Sequence, residues 1–266
     1  MPLLKFNMVS KVYTHQRSVF LSPKNKDGSS IRALAEVSLS ISKGQSVGVI
    51  GESGAGKSTL AAIAVGLIAP SSGSVFIDGQ SQAAAGWDRL QRARKVQLVW
   101  QDANGSVDPR QSVAQMIREP LQMHRKGDKN NREQRIGELL DEVGLSPGLA
   151  SRKPHELSGG ELQRVVIARA LAVDPEMLIC DEPAAALDAR TKSKVANLLL
   201  SLQRERKLAL MVIAHDLSLI NRITGELIVM HRGAIVEQGR TDKVVNCPSH
   251  AYTRQLISSD PSWSKA

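Results

Sequence analysis

The sequence predicts an α/β fold with a largely parallel sheet, an antiparallel β region near the N-terminal end and an inserted block of helices. Three observations carry this. The apolar run Ser46–Ile50 leads through the glycine-rich stretch 51–58 into a helical pattern that begins at Thr59. From Glu161 onward helix and buried-strand patterns alternate, which implies parallel strands joined by crossovers. Between Ser112 and Pro154 the apolar residues fall at helical spacing, with no strand among them.

In order along the chain, Leu3–Val12 and Ala33–Ile41 read as strands, separated by the polar, turn-rich stretch Ser22–Ser30. Lys43-Gly44 turns into the strand Ser46–Ile50. Pro70–Gly73 ends the first helix, and Ser74–Gly79 reads as a strand closing on a turn. Val96–Trp100 is a short apolar strand ending at Gln101. Helices are expected over Gln115–His124, broken at Pro120, and over Arg132–Val143. A helix over Glu161–Ala172 precedes the buried strand Met177–Cys180. Next come a helix over Thr191–Arg206, a strand over Leu208–Ala214 and a helix over Ser218–Thr224. A hairpin then pairs Glu226–Met230 with Ala234–Glu237 across His231-Arg232-Gly233. No repeat of solenoid length is visible.

Composition narrows the class. Of the 266 residues 42% are hydrophobic and 23% charged, as in an ordinary globular protein. Aromatic residues make up only 3%, too few to furnish stacking platforms, so no direct nucleic-acid partner is expected. The net charge of +9 by itself suits nucleic acid, anionic lipid headgroups or an anionic nucleotide, and the local cluster Arg125, Lys126, Lys129, Arg132 and Arg135 reads as a solvated basic face. Cys180 and Cys247 lack metal-ligand spacing, and Cys180 reads as a buried small hydrophobe. The N-terminus has no long apolar stretch, and the run Leu60–Ala69 is too short to span a bilayer. A soluble, cytoplasmic chain is expected, reaching any membrane through a partner.

Gly51-Glu52-Ser53-Gly54-Ala55-Gly56-Lys57-Ser58 fits the phosphate-binding loop, and Thr59 begins the helix after it. The glycines let backbone N–H groups turn inward around an anion, and the following helix adds its positive end. Lys57 is expected to reach the β- and γ-phosphates of a nucleoside triphosphate, and the Ser58 hydroxyl to ligate Mg²⁺. The apolar strand Met177–Cys180 runs into Asp181-Glu182. Asp181 is placed to help hold Mg²⁺, and Glu182 to orient or deprotonate an attacking water. In Leu157-Ser158-Gly159-Gly160-Glu161, Ser158 and Glu161 form a capping box. Two adjacent glycines weaken a helix start, so they make sense where bare N–H groups must meet an anion.

Leu157–Glu161, about twenty residues ahead of Asp181-Glu182, resembles the signature of the ATP-binding cassette ATPases, and the likeness extends over nearly the whole chain. Gln101 matches that family's glutamine loop, Ala186-Leu187-Asp188 its D-loop and His215 its switch histidine. Tyr13 resembles the aromatic that stacks on adenine, with Phe20 as the alternative. A lone glutamine or histidine carries no weight; six elements in the family's order do. The resemblance implies a phosphate-loop NTPase (RecA-like) core over residues 1–245, with a helical subdomain over about 102–160 and a short C-terminal extension over 246–266. It implies ATP and Mg²⁺ as ligands. ATP would bind Tyr13, Gly51, Ser53, Gly54, Ala55, Gly56, Lys57, Ser58 and Thr59 of one chain and Ser158, Gly159 and Gly160 of another, in a head-to-tail dimer with a homologous ATPase subunit. Glu182 would act as general base, His215 would contact the γ-phosphate, and Gln101 would join Ser58 at Mg²⁺ and report to a transmembrane partner. Asp188 would communicate across the dimer.

Gln101–Arg110 with Arg118-Glu119-Pro120-Leu121 resembles the oligopeptide, dipeptide and nickel uptake branch. The tail Cys247–Leu256 resembles that branch's His-Pro-Tyr-Thr motif, with Ala251 in place of proline; His250 is expected to pack or hydrogen-bond in a terminal turn. The branch implies a peripheral subunit on the cytoplasmic face of the cell membrane, working with two permease subunits and an extracytoplasmic solute-binding protein. Peptides, nickel or metal–opine chelates are its cargo classes. A non-transport cassette ATPase, such as that of the carbon–phosphorus lyase, shares the tail motif and is the alternative, as is a non-hydrolysing regulatory member.

Overall fold

The computed structural model describes residues 1–14, 30–83 and 89–259. The expected loop over 22–29 and Phe20 lie outside them. Two sheets stack around the element that carries the glycine-rich loop. Strands β1 (Leu4–Thr14), β2 (Ser30–Ile41), β4 (Ser72–Ile77) and β5 (Gln80–Ser81) form an antiparallel sheet in the order β2-β1-β4-β5. The larger sheet has the order β10-β9-β3-β8-β7-β6, from β3 (Ser46–Ile50), β6 (Val96–Val99), β7 (Met177–Asp181), β8 (Ala209–Ile213), β9 (Glu226–His231) and β10 (Ala234–Arg240). Its strands run parallel except β10, which returns antiparallel to β9 as the hairpin pattern predicts.

The alternation of side chains divides the core in two. Val47, Val49, Met177, Ile179, Met211 and Ile213 face the antiparallel sheet and α1 (Lys57–Ala64), packing with Phe6, Leu39 and Leu60. Leu178, Cys180, Leu210, Val212, Leu227 and Val229 face the other way, onto α5 (Gly159–Leu171), α6 (Ala189–Arg206) and α7 (Leu217–Ile223). Both faces of the parallel sheet are thus covered, which is why its strands read as continuous apolar runs. Cys180 is fully buried, as expected, and burial raises its thiol pKa to about 12.

Helices α3 (Val113–Met123) and α4 (Lys129–Glu142) follow β6, and both are capped. Ser112 and Gln115 make a capping box on α3, and Asp128 accepts from the Asn131 N–H at 2.9 Å. Pro120 does not break α3: the helix runs through it. The proline forfeits one backbone bond, at a cost of about 3 kcal/mol. Met116, Ile117 and Leu121 on either side are each at most 1% exposed, and that burial holds the helix together. The basic cluster is also less solvated than its composition suggests. Lys126 and Arg135 pair with Asp174 at 3.1 and 3.0 Å, and Arg132 donates to the Lys126 carbonyl.

The pattern missed short elements: α2 (Arg89–Lys95), α8 (Thr241–Asn246) and α9 (Ala251–Ser258). No helix of the described residues is long and apolar enough to cross a membrane.

Candidate active site

Parallel pairing assembles the site. Val49 lies opposite Ile213 in β8, and Asp181 lies opposite Ile213 from the other side. The residues following β3, β7 and β8 therefore emerge at one carboxyl edge: Gly51 and its loop, Asp181-Glu182 and His215. Carboxyl ends of parallel strands are where α/β sheets bind ligands.

The loop closes under steric constraint. A Cβ on Gly51 would stand 2.2 Å from the Met230 carbonyl oxygen, and one on Gly56 2.3 Å from that of Ala33. Gly56 also has φ = 101°, a left-handed conformation at the N-cap of α1. The hairpin turn holds the loop from outside, with the Gly233 N–H donating to the Ala55 carbonyl at 3.1 Å. Lys57 is 7% exposed, and its ammonium donates to the Gly51 and Glu52 carbonyls at 2.7 and 2.9 Å. Burial lowers its pKa, partly offset by the charges of Glu182 and Asp181.

Asp181 is 3% exposed; burial raises its carboxyl pKa against a hydrogen bond from Ser58 and the charge of Lys57. Glu182 leaves the strand with φ = 52°, a conformation that costs a non-glycine residue energy. Its N–H still donates to the Ile213 carbonyl at 2.8 Å, so the turn begins one residue past the ladder. Its carboxylate meets His215 Nε2 at 3.1 Å. Burial raises the Glu182 pKa as well, opposed by His215 and reinforced by Asp181.

These groups line one cavity of about 400 Å³ with Tyr13, Ser53, Gly54, Gly56, Thr59 and Gln101. Tyr13 stands at its mouth, 39% exposed, with the Lys11 ammonium 5.2 Å from its ring centre. Ser58, Gln101 and Asp181 are shared with a neighbouring cleft of about 860 Å³ beside Trp100, Pro120, Met123 and Arg169.

Ser158, Gly159, Gly160 and Asp188 do not line the cavity. Ser158 caps α5, accepting from the Glu161 N–H at 3.3 Å, while the Glu161 carboxylate accepts from the Ser158 N–H and hydroxyl at 2.9 and 2.7 Å. Asp188 caps α6 through the Thr191 N–H and hydroxyl. The two glycines differ. A Cβ on Gly160 would stand 2.2 Å from the Thr191 methyl, so packing alone demands glycine there. A Cβ on Gly159 would meet only Leu187, at an ordinary 3.4 Å, and the residue is exposed. At Gly159 no packing constraint competes with the bare-backbone argument, whereas at Gly160 packing also requires glycine, and the sequence could not tell the two apart.

Sequence reasoning placed Tyr252 in the tail motif but gave it no role. From α9 its hydroxyl accepts the Glu52 N–H at 2.9 Å, and its ring lies 3.9 Å from that of His231. Glu237 anchors the start of α9, accepting from the N–H groups of Ser249 and His250 at 2.7 and 3.0 Å. Burial alone would raise the Glu237 pKa, but the nearby Thr253 hydroxyl and hydrogen bonds from Ser249 and His250 hold it down at about 2. His250 caps α9 with Nδ1, in keeping with the expected terminal turn.

Residues 34–185 match the family model described as ABC transporter. The chain is 40% identical over 250 residues to the oligopeptide transport ATP-binding protein OppF of Bacillus subtilis, spanning 93% of this chain and 81% of that one. It is 41% identical over 233 residues to OppF of Escherichia coli K12, covering 87% and 70%. The OppD protein of Mycobacterium bovis is 44% identical over 232 residues, but the match spans only 38% of its length. Among solved structures, the dimeric post-hydrolysis state of the ATP-binding cassette MJ0796, bound to ADP and Pi, superposes with a TM-score of 0.77 at 30% identity, covering 90% of this chain and 98% of that one. The cbiO1 cassette of Clostridium perfringens, at 24% identity and a TM-score of 0.77, shares the fold. With the phosphate loop, the acidic strand end and the capped signature helix in place, the chain belongs to the ABC transporter family and is an ATPase.

Proposed function

We propose that the chain is the ATP-hydrolysing subunit of a binding-protein-dependent importer for peptides. What carries this reading is the convergence of Lys57, Asp181, Glu182 and His215 in one cavity, in a chain whose relatives are named oligopeptide transport ATP-binding proteins. The same names favour an importer over the enzyme-complex alternative, and intact Lys57, Glu182 and His215 disfavour a non-hydrolysing member.

Tyr13 covers the base, while Gly54, Ala55, Gly56, Lys57, Ser58 and Thr59 receive the phosphates with N–H groups and the Lys57 ammonium. The Lys57 ammonium has three donors: two go to the Gly51 and Glu52 carbonyls, which aim the third at a phosphate oxygen. Glu182 orients and deprotonates the water, and a carboxyl whose pKa burial has raised is a stronger base than an ordinary one. His215 holds the Glu182 carboxylate and faces the γ-phosphate. Hydrolysis needs positioning and charge stabilisation more than covalent chemistry, and the site supplies both.

The donors suit Mg²⁺. Among the described residues no group of three or more His, Cys, Asp or Glu could hold a metal. Ser58, Asp181 and Gln101 offer a few oxygens beside the phosphate position, and Mg²⁺ typically takes one or two carboxylates plus phosphates and keeps its waters. When bound it would neutralise charge on the β- and γ-phosphates.

Ser158 and Gly159, turned away from this cavity, would complete the site of a second ATPase chain in a head-to-tail dimer, with Asp188 beside them at the junction. The cleft next to Gln101, with Trp100 39% and Met123 58% exposed, would seat a permease segment, holding the subunit peripherally at the cytoplasmic face of the membrane. We read residues 1–245 as the nucleotide-binding domain, with the helical subdomain at about 102–160 and the extension at 246–266.

The test is affinity purification from membranes, followed by a ligand screen on the accompanying solute-binding protein. Two permease subunits and a binding protein that takes peptides are expected. A complex without a membrane subunit would overturn the importer reading.

A further inference from the structure

The phosphate loop and α9 lie 200 residues apart in sequence and meet at one peptide unit. In the peptide joining Gly51 to Glu52, the N–H donates to the Tyr252 hydroxyl at 2.9 Å and the carbonyl accepts from Lys57 Nζ at 2.7 Å. The peptide is planar and trans, so its N–H and C=O point in opposite directions and turn together. Whatever fixes the N–H fixes the carbonyl that holds the lysine.

Tyr252 is itself held. It is 8% exposed, its ring packs on His231, and the chain entering α9 is anchored by the two backbone bonds to Glu237. The Met230 carbonyl closes against Gly51, so the end of β9 braces both the loop and, through His231, the tyrosine. On the other side a small cavity of about 210 Å³ separates Leu256 and Ser259 of the tail from Gly51 and His215. The tail thus lies beside both the loop and His215.

We propose that Tyr252 is a positioning residue for ATP hydrolysis: its hydroxyl fixes the Gly51–Glu52 peptide and thereby places Lys57 for the phosphates. The tail is part of the nucleotide site, acting through one hydrogen bond. This rests on the assignment of Lys57 to the β- and γ-phosphates.

The test uses the full-length chain with Tyr252→Phe, which removes only the hydroxyl, and Tyr252→Leu, which also removes the ring. One hydrogen bond corresponds to a rise of about 2- to 12-fold in KM for ATP, with kcat changed less. Both variants should show it to the same extent, although Tyr252→Leu also lowers the melting temperature. Acetylation of Lys57 by acetic anhydride in the nucleotide-free chain, read by mass spectrometry, should quicken by a similar factor in both. A purely structural tail predicts the opposite pattern: Tyr252→Phe matches the wild type in KM and Lys57 acetylation, and only Tyr252→Leu is impaired. That result overturns the proposal. Lys57→Ala separates the two readings. If it abolishes hydrolysis while Tyr252→Phe is silent, only the tail inference fails; if it leaves hydrolysis intact, the Lys57 assignment fails too.

Discussion

The phosphate-loop edge and the signature end of α5 are both built from glycines, a helix N-terminus and polar side chains, yet the fold treats them differently. At the loop, Lys57, Ser58, Asp181, Glu182 and His215 turn inward onto one cavity, and burial shifts the pKa of three of them. At the signature, Ser158 and Gly159 are exposed, the Ser158 capping bonds are satisfied locally, and neither residue lines the cavity at the loop. On the proposed reading the inward groups act within their own chain, and the exposed N–H groups at the start of α5 meet an anion carried by a second chain.

The sharpest way to break this contrast is Glu182→Gln. Loss of the base should lower kcat by about 10²- to 10⁴-fold while ATP still binds, measured by steady-state hydrolysis alongside equilibrium binding. Unchanged turnover would remove the inward half of the comparison. Gly159→Val addresses the outward half. Its Cβ would meet only Leu187, at 3.4 Å, and the position is exposed, so stability should move by no more than about 0.5 kcal/mol. Turnover should nevertheless fall by about 10²-fold, the scale of losing one well-aimed donor. Gly160→Ala is the counterpart with the reverse signature. The added methyl strikes Thr191, whose hydroxyl is committed to Asp188 at 2.7 Å, and overpacking of this kind costs about 1–3 kcal/mol in denaturant unfolding.

The smallest effect is in the tail. The Glu237 pKa is about 2 in the folded chain, against 4.5 for the unperturbed side chain. Its contribution to stability is therefore full above pH 4.5 and is lost as pH falls toward 2. Amide-exchange protection at Ser249 and His250 should decline across that window, and Glu237→Gln should flatten the decline.

Much of this was legible in the sequence because local pattern and tertiary role coincide there. The strand–loop–helix at 46–64 and the buried strand before Asp181 carry their own periodicity, and Ser158 with Glu161 spells a cap that forms as read. What stayed hidden depends on distant packing. Pro120 signals a break locally, but Met116, Ile117 and Leu121 bind both halves of α3 to the core. That Gly160 also has a packing reason to be glycine is invisible in sequence, because Thr191, thirty-one residues on, occupies its Cβ position. Tyr252 could not be found by spacing, since its partner is a backbone N–H 200 residues away.

The central claim is that this chain holds a nucleotide site that only a second ATPase chain completes. The direct measurement is ATP turnover per chain as the purified protein, with any ATPase subunit that accompanies it, is diluted through the concentration at which light scattering shows dissociation. Turnover per chain should collapse along with the dimer. A rate per chain that stays constant into the monomer range would contradict the account.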